Sequence, residues 1–172
     1  MPGPTMVQQA RVGSSHAFAA LYAQYQKQLY AYACICLRNA ALAEDAVQEA
    51  ALIAYRRMDD LRQENSFEPW LFKILANECR RIGRAERLSV PLGERPVADA
   101  APDNIPLSDE LRDALYSLPW LEREIVMLCV VTGLSGREAA HALRMNHATL
   151  RSKRARALCK LRVYLGDMDE NI

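Results

Sequence analysis

The sequence predicts an all-α protein of two small domains, an N-terminal helical bundle and a C-terminal helix-turn-helix domain. Apolar residues recur at three- and four-residue spacing, and the alternation typical of strands is absent. Four of the eight prolines fall between positions 88 and 107, which is typical of a flexible linker. In a chain of 172 residues, this linker leaves one compact helical part on each side. We expect a disordered tail over 1–14, domains over 15–87 and 108–165, a linker over 88–107 and an acidic tail over 166–172.

Periodicity predicts three helices in the N-terminal domain. The first carries its apolar residues over 18–32, with Ser14 or Ser15 as the N-cap. The second covers 42–54. The third begins near Pro69, because proline is tolerated in the first turn of a helix.

The C-terminal domain shows the layout of a helix-turn-helix. A short helix over 111–118 precedes another that Pro119 opens. Ser135 and Glu138 are three residues apart and form a capping-box pattern that begins a further short helix. Asn146 is a suitable cap for a longer last helix. A short helix, a tight turn and a longer helix are the arrangement that places a recognition helix in the DNA major groove.

Charge is balanced overall but segregated along the chain. The 22 basic and 21 acidic residues give a formal net charge of +1, which argues against a uniformly basic coating protein. Residues 137–162 nevertheless carry eight basic residues and one acidic residue, whereas residues 88–124 carry eight acidic and three basic. A basic last helix suits phosphate contacts, and its first residues suit base edges. The alternative is a solvated basic face.

Two patterns in the N-terminal domain also point to binding. Acidic and amide side chains at 44, 45, 48 and 49 form one polar stripe on the second helix, for which a solvated face is the alternative. Basic residues over 73–87 follow Phe67, Trp70 and Phe72. Aromatic and basic groups together suit an unstacked single strand, whereas Phe67 and Trp70 could instead be core anchors.

The remaining features exclude several classes of protein. The five cysteines form no Cys-x-x-Cys pair, which favours small buried thiols over the alternative of a redox or metal role. The longest apolar run, over 125–131, is too short to span a membrane, and the N-terminus lacks a secretory pattern. No catalytic triad, phosphate loop or metal spacing is present. We therefore expect a cytoplasmic protein with no enzymatic activity, cofactor, metal or membrane insertion of its own.

Three segments resemble the extracytoplasmic-function (ECF) group of the sigma-70 family of bacterial RNA polymerase. They are EDAVQEA at 44–50, FEPWLFKILANECRR at 67–81, and the stretch from LPWLEREIV to KLR over 118–162. The resemblance implies a sigma factor that binds core RNA polymerase, recognises the -10 and -35 promoter elements and directs transcription initiation. The alternative is a stand-alone helix-turn-helix regulator that binds duplex DNA without polymerase.

The resemblance, together with the charge pattern, assigns roles to individual residues. The core-polymerase-binding residues, on the clamp helices of the largest subunit, are Asp45, Gln48 and Glu49. The -10 DNA-binding residues are Asp60, Leu61, Arg62, Trp70, Lys73, Asn77, Arg80, Arg81 and Arg84. The -35 DNA-binding residues are Arg137, His147, Thr149, Arg151, Ser152, Arg154 and Arg156. The implied partners are core polymerase, including its flap region, promoter DNA and an anti-sigma factor.

Overall fold

A computed structural model of the chain describes residues 4–89 and 107–169, and within those ranges every regular element is helical. The all-α fold class is therefore confirmed. The linker predicted for 88–107 lies, apart from its ends, outside the described residues.

Five helices form the N-terminal domain. They are α1 Pro4–Arg11, α2 Ser15–Ala23, α3 Gln26–Leu37, α4 Ala40–Arg56 and α5 Phe67–Ser89. The prediction of a disordered tail is wrong for residues 4–11, because Val7 and Ala10 bury one face of α1 at 1% and 2% exposure. Helix α1 packs on α2 and on the two 3-10 turns, Met58–Asp60 and Glu64–Ser66, that connect α4 to α5.

The first predicted helix is in fact two, α2 and α3, separated at Gln24 and Tyr25. The apolar spacing continues through this break, so the sequence pattern did not reveal it. Tyr25 is buried and packs against Phe67 with ring centroids 5.8 Å apart, which is a tertiary contact. Ser14 caps α2 as expected, since its Oγ accepts a hydrogen bond from the Ala17 amide at 3.2 Å.

Helices α3, α4 and α5 pack on one another to make the centre of this domain. Asn39 caps α4 through a bond from the Leu42 amide to its Oδ1 at 3.0 Å. The largest fully buried side chains here are Leu21, Leu29, Tyr32, Ile35, Phe67, Leu71, Phe72 and Leu75. Helix α4, which corresponds to the second predicted helix, is slightly longer at both ends than the predicted 42–54.

The C-terminal domain is built on a long last helix. Its elements are α6 Asp109–Ser117, α7 Trp120–Val126 with a π-helical turn Met127–Val131, α8 Gly136–Ala142 and α9 His147–Asp169. Helix α9 packs on α6, α7 and α8, with Leu150, Ala157 and Leu161 buried. Helix α9 continues through residue 169, so the boundary predicted at 165 between the domain and the acidic tail falls within a helix.

The π-helical turn changes the direction of the chain before the helix-turn-helix. The Thr132 amide bonds to the Met127 carbonyl, five residues earlier, at 3.0 Å, and the Thr132 hydroxyl bonds to the Leu128 carbonyl at 2.7 Å. Gly133 follows with φ +77°, a left-handed conformation that favours glycine. These bonds end α7 and turn the chain toward α8.

The two domains are in direct contact. Helix α5 packs against α8, and α3 packs against α6, α7 and the π-helical turn. Buried residues from both domains belong to one hydrophobic cluster. Two helical domains were predicted, but the contact between them was not.

Candidate nucleic-acid interface

The helix-turn-helix has the predicted capping geometry. Glu138 Oε2 accepts a hydrogen bond from the Ser135 amide at 2.8 Å, and Ser135 Oγ accepts one from the Glu138 amide at 3.2 Å. Arg144 adopts φ 52° in the turn between α8 and α9. Asn146 Oδ1 then accepts from the Ala148 amide at 2.7 Å, which fixes the start of α9. Both predicted caps are confirmed.

The first half of α9 presents a basic face opposite its buried face. The exposed residues predicted for -35 binding are His147, Thr149, Arg151, Ser152 and Arg156, and Arg154 is half-buried. Ala148 and Ala155 are also exposed on this helix. Small side chains between arginines allow the helix backbone to approach a DNA groove closely.

Two further side chains border this face. Arg137 is exposed near the start of α8. The His147 imidazole lies against Gly136, where an added Cβ would stand 3.0 Å from Nε2. The predicted -35 residues therefore lie on the first half of α9 and at the start of α8. Glycine at position 136 leaves room for the His147 ring where these two helices meet.

The polar stripe of α4 forms a ridge on the surface of the N-terminal domain. Asp45 and Gln48 are exposed and Glu49 is half-buried, whereas Val47 and the alanines on the opposite side are buried. Leu52 lies on the same ridge, seven residues after Asp45, and is 48% exposed. Sequence reasoning missed Leu52, although a large apolar residue in line with a polar stripe was a readable signal.

The predicted -10 residues near the 3-10 turns differ in accessibility. Asp60 is exposed and forms an ion pair with Arg57 at 2.7 Å, and Arg62 is exposed. Leu61 is 2% exposed. The assignment of Leu61 as a DNA contact is corrected, because its buried side chain anchors this segment to the core and does not face solvent.

The aromatic residues at the start of α5 were interpreted either as contacts for a single DNA strand or as core anchors, and the structure supports the second for Phe67. Phe67 is 1% exposed and is a core anchor. Trp70 is half-buried and packs on Phe67 with ring centroids 6.0 Å apart. Asn77 is half-buried further along α5. Trp70 is thus held by the core while part of its ring reaches the surface.

The basic residues of α5 divide between two faces. Arg84 is exposed, and Arg81 pairs with Glu78 at 2.8 Å. Lys73 and Arg80 face the C-terminal domain instead. Lys73 Nζ lies 3.1 Å from His141 Nε2 on α8, and Arg80 pairs with Glu124 of α7. The structure therefore does not bring all the predicted -10 cations to one open surface.

Three of the cysteines, Cys34, Cys36 and Cys79, are buried. Burial raises the pKa of Cys34 to about 11 and also raises those of Cys36 and Cys79, so these thiols stay protonated. Among the residues with described side chains, no three His, Cys, Asp or Glu residues are grouped as metal ligands would be. None of the described helices combines the length and the apolar character that crossing a membrane requires.

The fold and these surfaces define a class of protein, a helical DNA-binding protein in which a helix-turn-helix domain is joined to a second helical domain. Residues 21–88 match the family model for Sigma-70 region 2, and residues 108–161 match that for Sigma-70 region 4. Together the two matches cover more than half of the chain. The chain therefore belongs to the sigma-70 family, and its similarity to ECF sigma factors places it in the ECF group. The region 2 match excludes a stand-alone helix-turn-helix regulator.

Several ECF sigma factors are similar over most of their length. The chain is 30% identical to ECF RNA polymerase sigma factor SigM of Mycobacterium tuberculosis, over 93% of this chain and 83% of that protein. It is 32% identical to RNA polymerase sigma factor CarQ of Myxococcus xanthus, over 92% and 95%. It is 28% identical to the ECF RNA polymerase sigma-E factor of Escherichia coli K12, over 88% of each.

Two solved structures share the fold. CnrH in complex with the cytosolic domain of CnrY matches with a TM-score of 0.71 and 26% identity, over 95% of this chain and 97% of that one. The sigma factor RpoE of Bartonella quintana, in complex with the anti-sigma factor NepR, matches with a TM-score of 0.68 and 26% identity, over 87% and 96%. The chain is therefore an RNA polymerase sigma factor, which is a transcription initiation factor.

Proposed function

We propose that three surfaces of this sigma factor divide the work of initiation: the basic face of α9, the ridge of α4 and the region around α5. The single observation that supports this most strongly is the free basic face of α9 on a fully capped helix-turn-helix. Exposed arginines at the start of a recognition helix can donate paired hydrogen bonds to base edges in the major groove. The face formed by Arg137, His147 and the α9 residues named above would read the -35 element.

The ridge of α4 would bind core RNA polymerase. Asp45, Gln48 and Glu49 offer acceptors and negative charge, and Leu52 adds an apolar contact in the same line. Exposed polar groups around an apolar centre are the usual composition of a protein–protein interface. This arrangement favours a basic, partly apolar helical partner, which the clamp helices of the largest subunit would supply.

The region around α5 would hold the melted -10 element. Unstacking and unpairing a base costs a few kcal/mol, and aromatic and cationic side chains that hold the base and its phosphates can offset this cost. Asp60, Arg62 and Trp70 are candidates for the base, and Asn77, Arg81 and Arg84 for the strand beside it. Lys73 and Arg80 would join them when the C-terminal domain is displaced.

The regulator that suits this chain is an anti-sigma protein, because RpoE of Bartonella quintana binds one and matches most of the chain. Such a protein would cover the ridge or the DNA-binding faces of the free sigma factor. We also propose that the chain acts in the bacterial cytoplasm, where core polymerase and promoters are, as a non-catalytic subunit without a cofactor.

Run-off transcription with purified bacterial core polymerase tests the proposal. The protein should direct specific starts from a genomic promoter library, and it should co-elute with core polymerase on gel filtration. The Asp45→Lys/Glu49→Lys variant should bind core polymerase at least tenfold more weakly, roughly the size of one lost interfacial charge contact, with an unchanged unfolding midpoint.

A matched charge reversal, Glu110→Lys/Asp113→Lys, changes two exposed acidic residues of α6 that lie outside the ridge. It should leave core binding as in the unmodified protein. Equal loss in both variants would indicate a long-range charge effect and contradict the assignment of the ridge. Absence of both specific starts and a core complex would overturn the proposed function.

A further inference from the structure

Helix α1 belongs to none of the three surfaces proposed above. It lies before residue 21, where the match to the region 2 family model begins. Two of its side chains are nevertheless fully covered, since Val7 is 1% exposed and Ala10 2%. The helix packs on α2 and on the two 3-10 turns between α4 and α5. It therefore contacts the part of the chain that carries two of the proposed -10 residues, Asp60 and Arg62.

Residues 57–66 form a turn segment that contains both 3-10 turns. Its backbone hydrogen bonds are short-range, because the amides of Asp60, Leu61 and Ser66 bond to carbonyls three residues earlier, at 2.9, 3.2 and 3.1 Å. The exposed ion pair between Arg57 and Asp60 is also local. Bonds of this kind shape a turn but do not attach it to the rest of the domain.

Packing of apolar side chains supplies that attachment. Met58 and Leu61 of the turn segment are 3% and 2% exposed, whereas Asp60 and Arg62, on either side of Leu61, are exposed. The directions of these two polar side chains therefore depend on how Leu61 is seated in the core. Helix α1 packs on both turns, so its buried side helps to fix that seat.

The position of α1 is itself fixed by the turn that joins it to α2. The Ser14 amide bonds to the Gln9 carbonyl at 3.0 Å and the Gly13 amide to the Ala10 carbonyl at 3.1 Å, which is the Schellman pattern at a helix end. Gly13 has φ +96°, a left-handed conformation that favours glycine. Ser14 then caps α2. Two consecutive residues thus end one helix and begin the next, which sets the direction of α1.

We propose that α1 is a positioning element for recognition of the -10 element: its buried side, centred on Val7, holds the turn segment so that Asp60 and Arg62 discriminate among bases of the melted strand. The inference rests on the assignment of those two residues under the proposed function. A polar group selects one base only when its orientation is fixed, because a mobile group can satisfy several. Helix α1 therefore acts on selectivity for the -10 sequence.

Two substitutions in the full chain loosen α1 by different physical routes. Val7→Ala removes buried methyl groups. Gly13→Ala adds a methyl group that meets no atom within 4 Å beyond its chain neighbours, so its effect comes from backbone strain alone. The matched controls are Val126→Ala, the same truncation at a buried valine of α7, and Val12→Ala, at a valine that is 86% exposed.

Hydrogen exchange of the free protein, followed by mass spectrometry, measures the order of the turn segment. Both α1 variants should exchange the amides of this segment about tenfold faster, the factor that corresponds to a typical penalty for lost packing. The two controls should exchange it at the rate of the unmodified protein. Unchanged exchange in both α1 variants would overturn the proposal, since α1 would then not hold the segment.

Run-off transcription by the reconstituted holoenzyme, on promoters that differ at single -10 positions, measures selectivity. Preference for the best base should fall about tenfold in both α1 variants at one or more positions, roughly the loss of one hydrogen bond. Preference at the -35 element should not change, because α9 lies in the other domain. A ratio between promoters cancels differences in the amount of active protein, so a merely structural defect, such as that of Val126→Ala, leaves the ratio unchanged.

The outcomes separate the role of α1 from the proposed function. If the unmodified protein directs no specific starts, the proposed function fails and the inference fails with it. If it does direct them, but Val7→Ala and Gly13→Ala keep the full -10 preference, or Val126→Ala loses as much of it, only the role of α1 is overturned. Circular dichroism verifies that each variant retains its helices, and Gly13→Ala alone decides if Val7→Ala does not fold.

Discussion

Helices α5 and α9 have the same length, 23 residues, and both are basic, yet their charges are available to very different degrees. On α9 the predicted DNA-binding residues are exposed or half-buried around one open face. On α5, Arg80 is bound to Glu124, and Lys73 lies next to His141. The difference shows that the net charge of a helix does not measure its capacity to bind phosphate, because a second domain can use the same cations first.

The largest effect should come from Arg123, a buried arginine of α7 that bonds to both domains. Arg123→Leu removes a guanidinium that donates to the Leu115 and Leu118 carbonyls at 3.1 and 3.0 Å and, across the domain contact, to those of Ile35 and Cys36 at 3.3 and 3.4 Å. We expect a loss of about 3 kcal/mol in the free energy of unfolding, since several charge-assisted bonds are lost together. Urea unfolding measures it, and the exposed Arg84→Leu should cost little. Equal losses would show that Arg123 has no special role.

On α9 the expected effect concerns binding. Arg151→Ala should weaken binding to the -35 element by about 2 kcal/mol and relax sequence preference there, because an exposed arginine on a recognition helix reads a base edge. Gel-shift titration of the holoenzyme on promoter variants measures both. A uniform loss on all sequences would instead identify Arg151 as a phosphate contact.

A smaller effect should follow from the cap that orients α8. Ser135→Ala removes the acceptor for the Glu138 amide and should reduce the free energy of unfolding by about 1 kcal/mol. Thermal unfolding measures the change. Ser152→Ala serves as the control, because Ser152 is exposed within α9 and caps no helix. Equal changes in both proteins would contradict the capping role.

The smallest effect should be a dependence on pH at the domain contact. Burial raises the pKa of Glu124 above its usual range, although Arg80 opposes this. A carboxyl with a raised pKa in the folded protein binds protons more readily there, so its contribution to stability is lost as pH rises. The unmodified protein should therefore lose stability relative to Glu124→Gln as the pH rises above the ordinary carboxyl range, about pH 4. A constant difference would contradict this.

Local signals in the sequence predicted much of the fold and of the α9 site. Ser135, Glu138 and Asn146 act on neighbouring backbone amides, so their roles follow from spacing alone. The stripe at 45, 48 and 49 follows from helical periodicity in the same way. Both kinds of feature depend on residues within one or two turns, which a single sequence displays directly.

Features that depend on tertiary contact were not predicted. Arg123 and Glu124 resemble solvated charges in an acidic segment, and only the position of α3 and α5 reveals that they are buried. Helix α1 was missed because it has few apolar residues, of which Val7 and Ala10 are covered by other elements. Leu61 was assigned to DNA by its place in the motif, and its burial became evident only in the folded domain.

The π-helical turn at Met127–Val131 makes the chain length before the helix-turn-helix a constrained quantity. It holds one residue more than an α-helical turn would, and the bond from the Thr132 amide to the Met127 carbonyl closes the wider ring. Deletion of a single residue there would replace the wider ring with an α-helical turn and remove the bond that ends the helical segment just before Gly133. This segment should therefore tolerate substitutions among apolar residues far better than any change in its length.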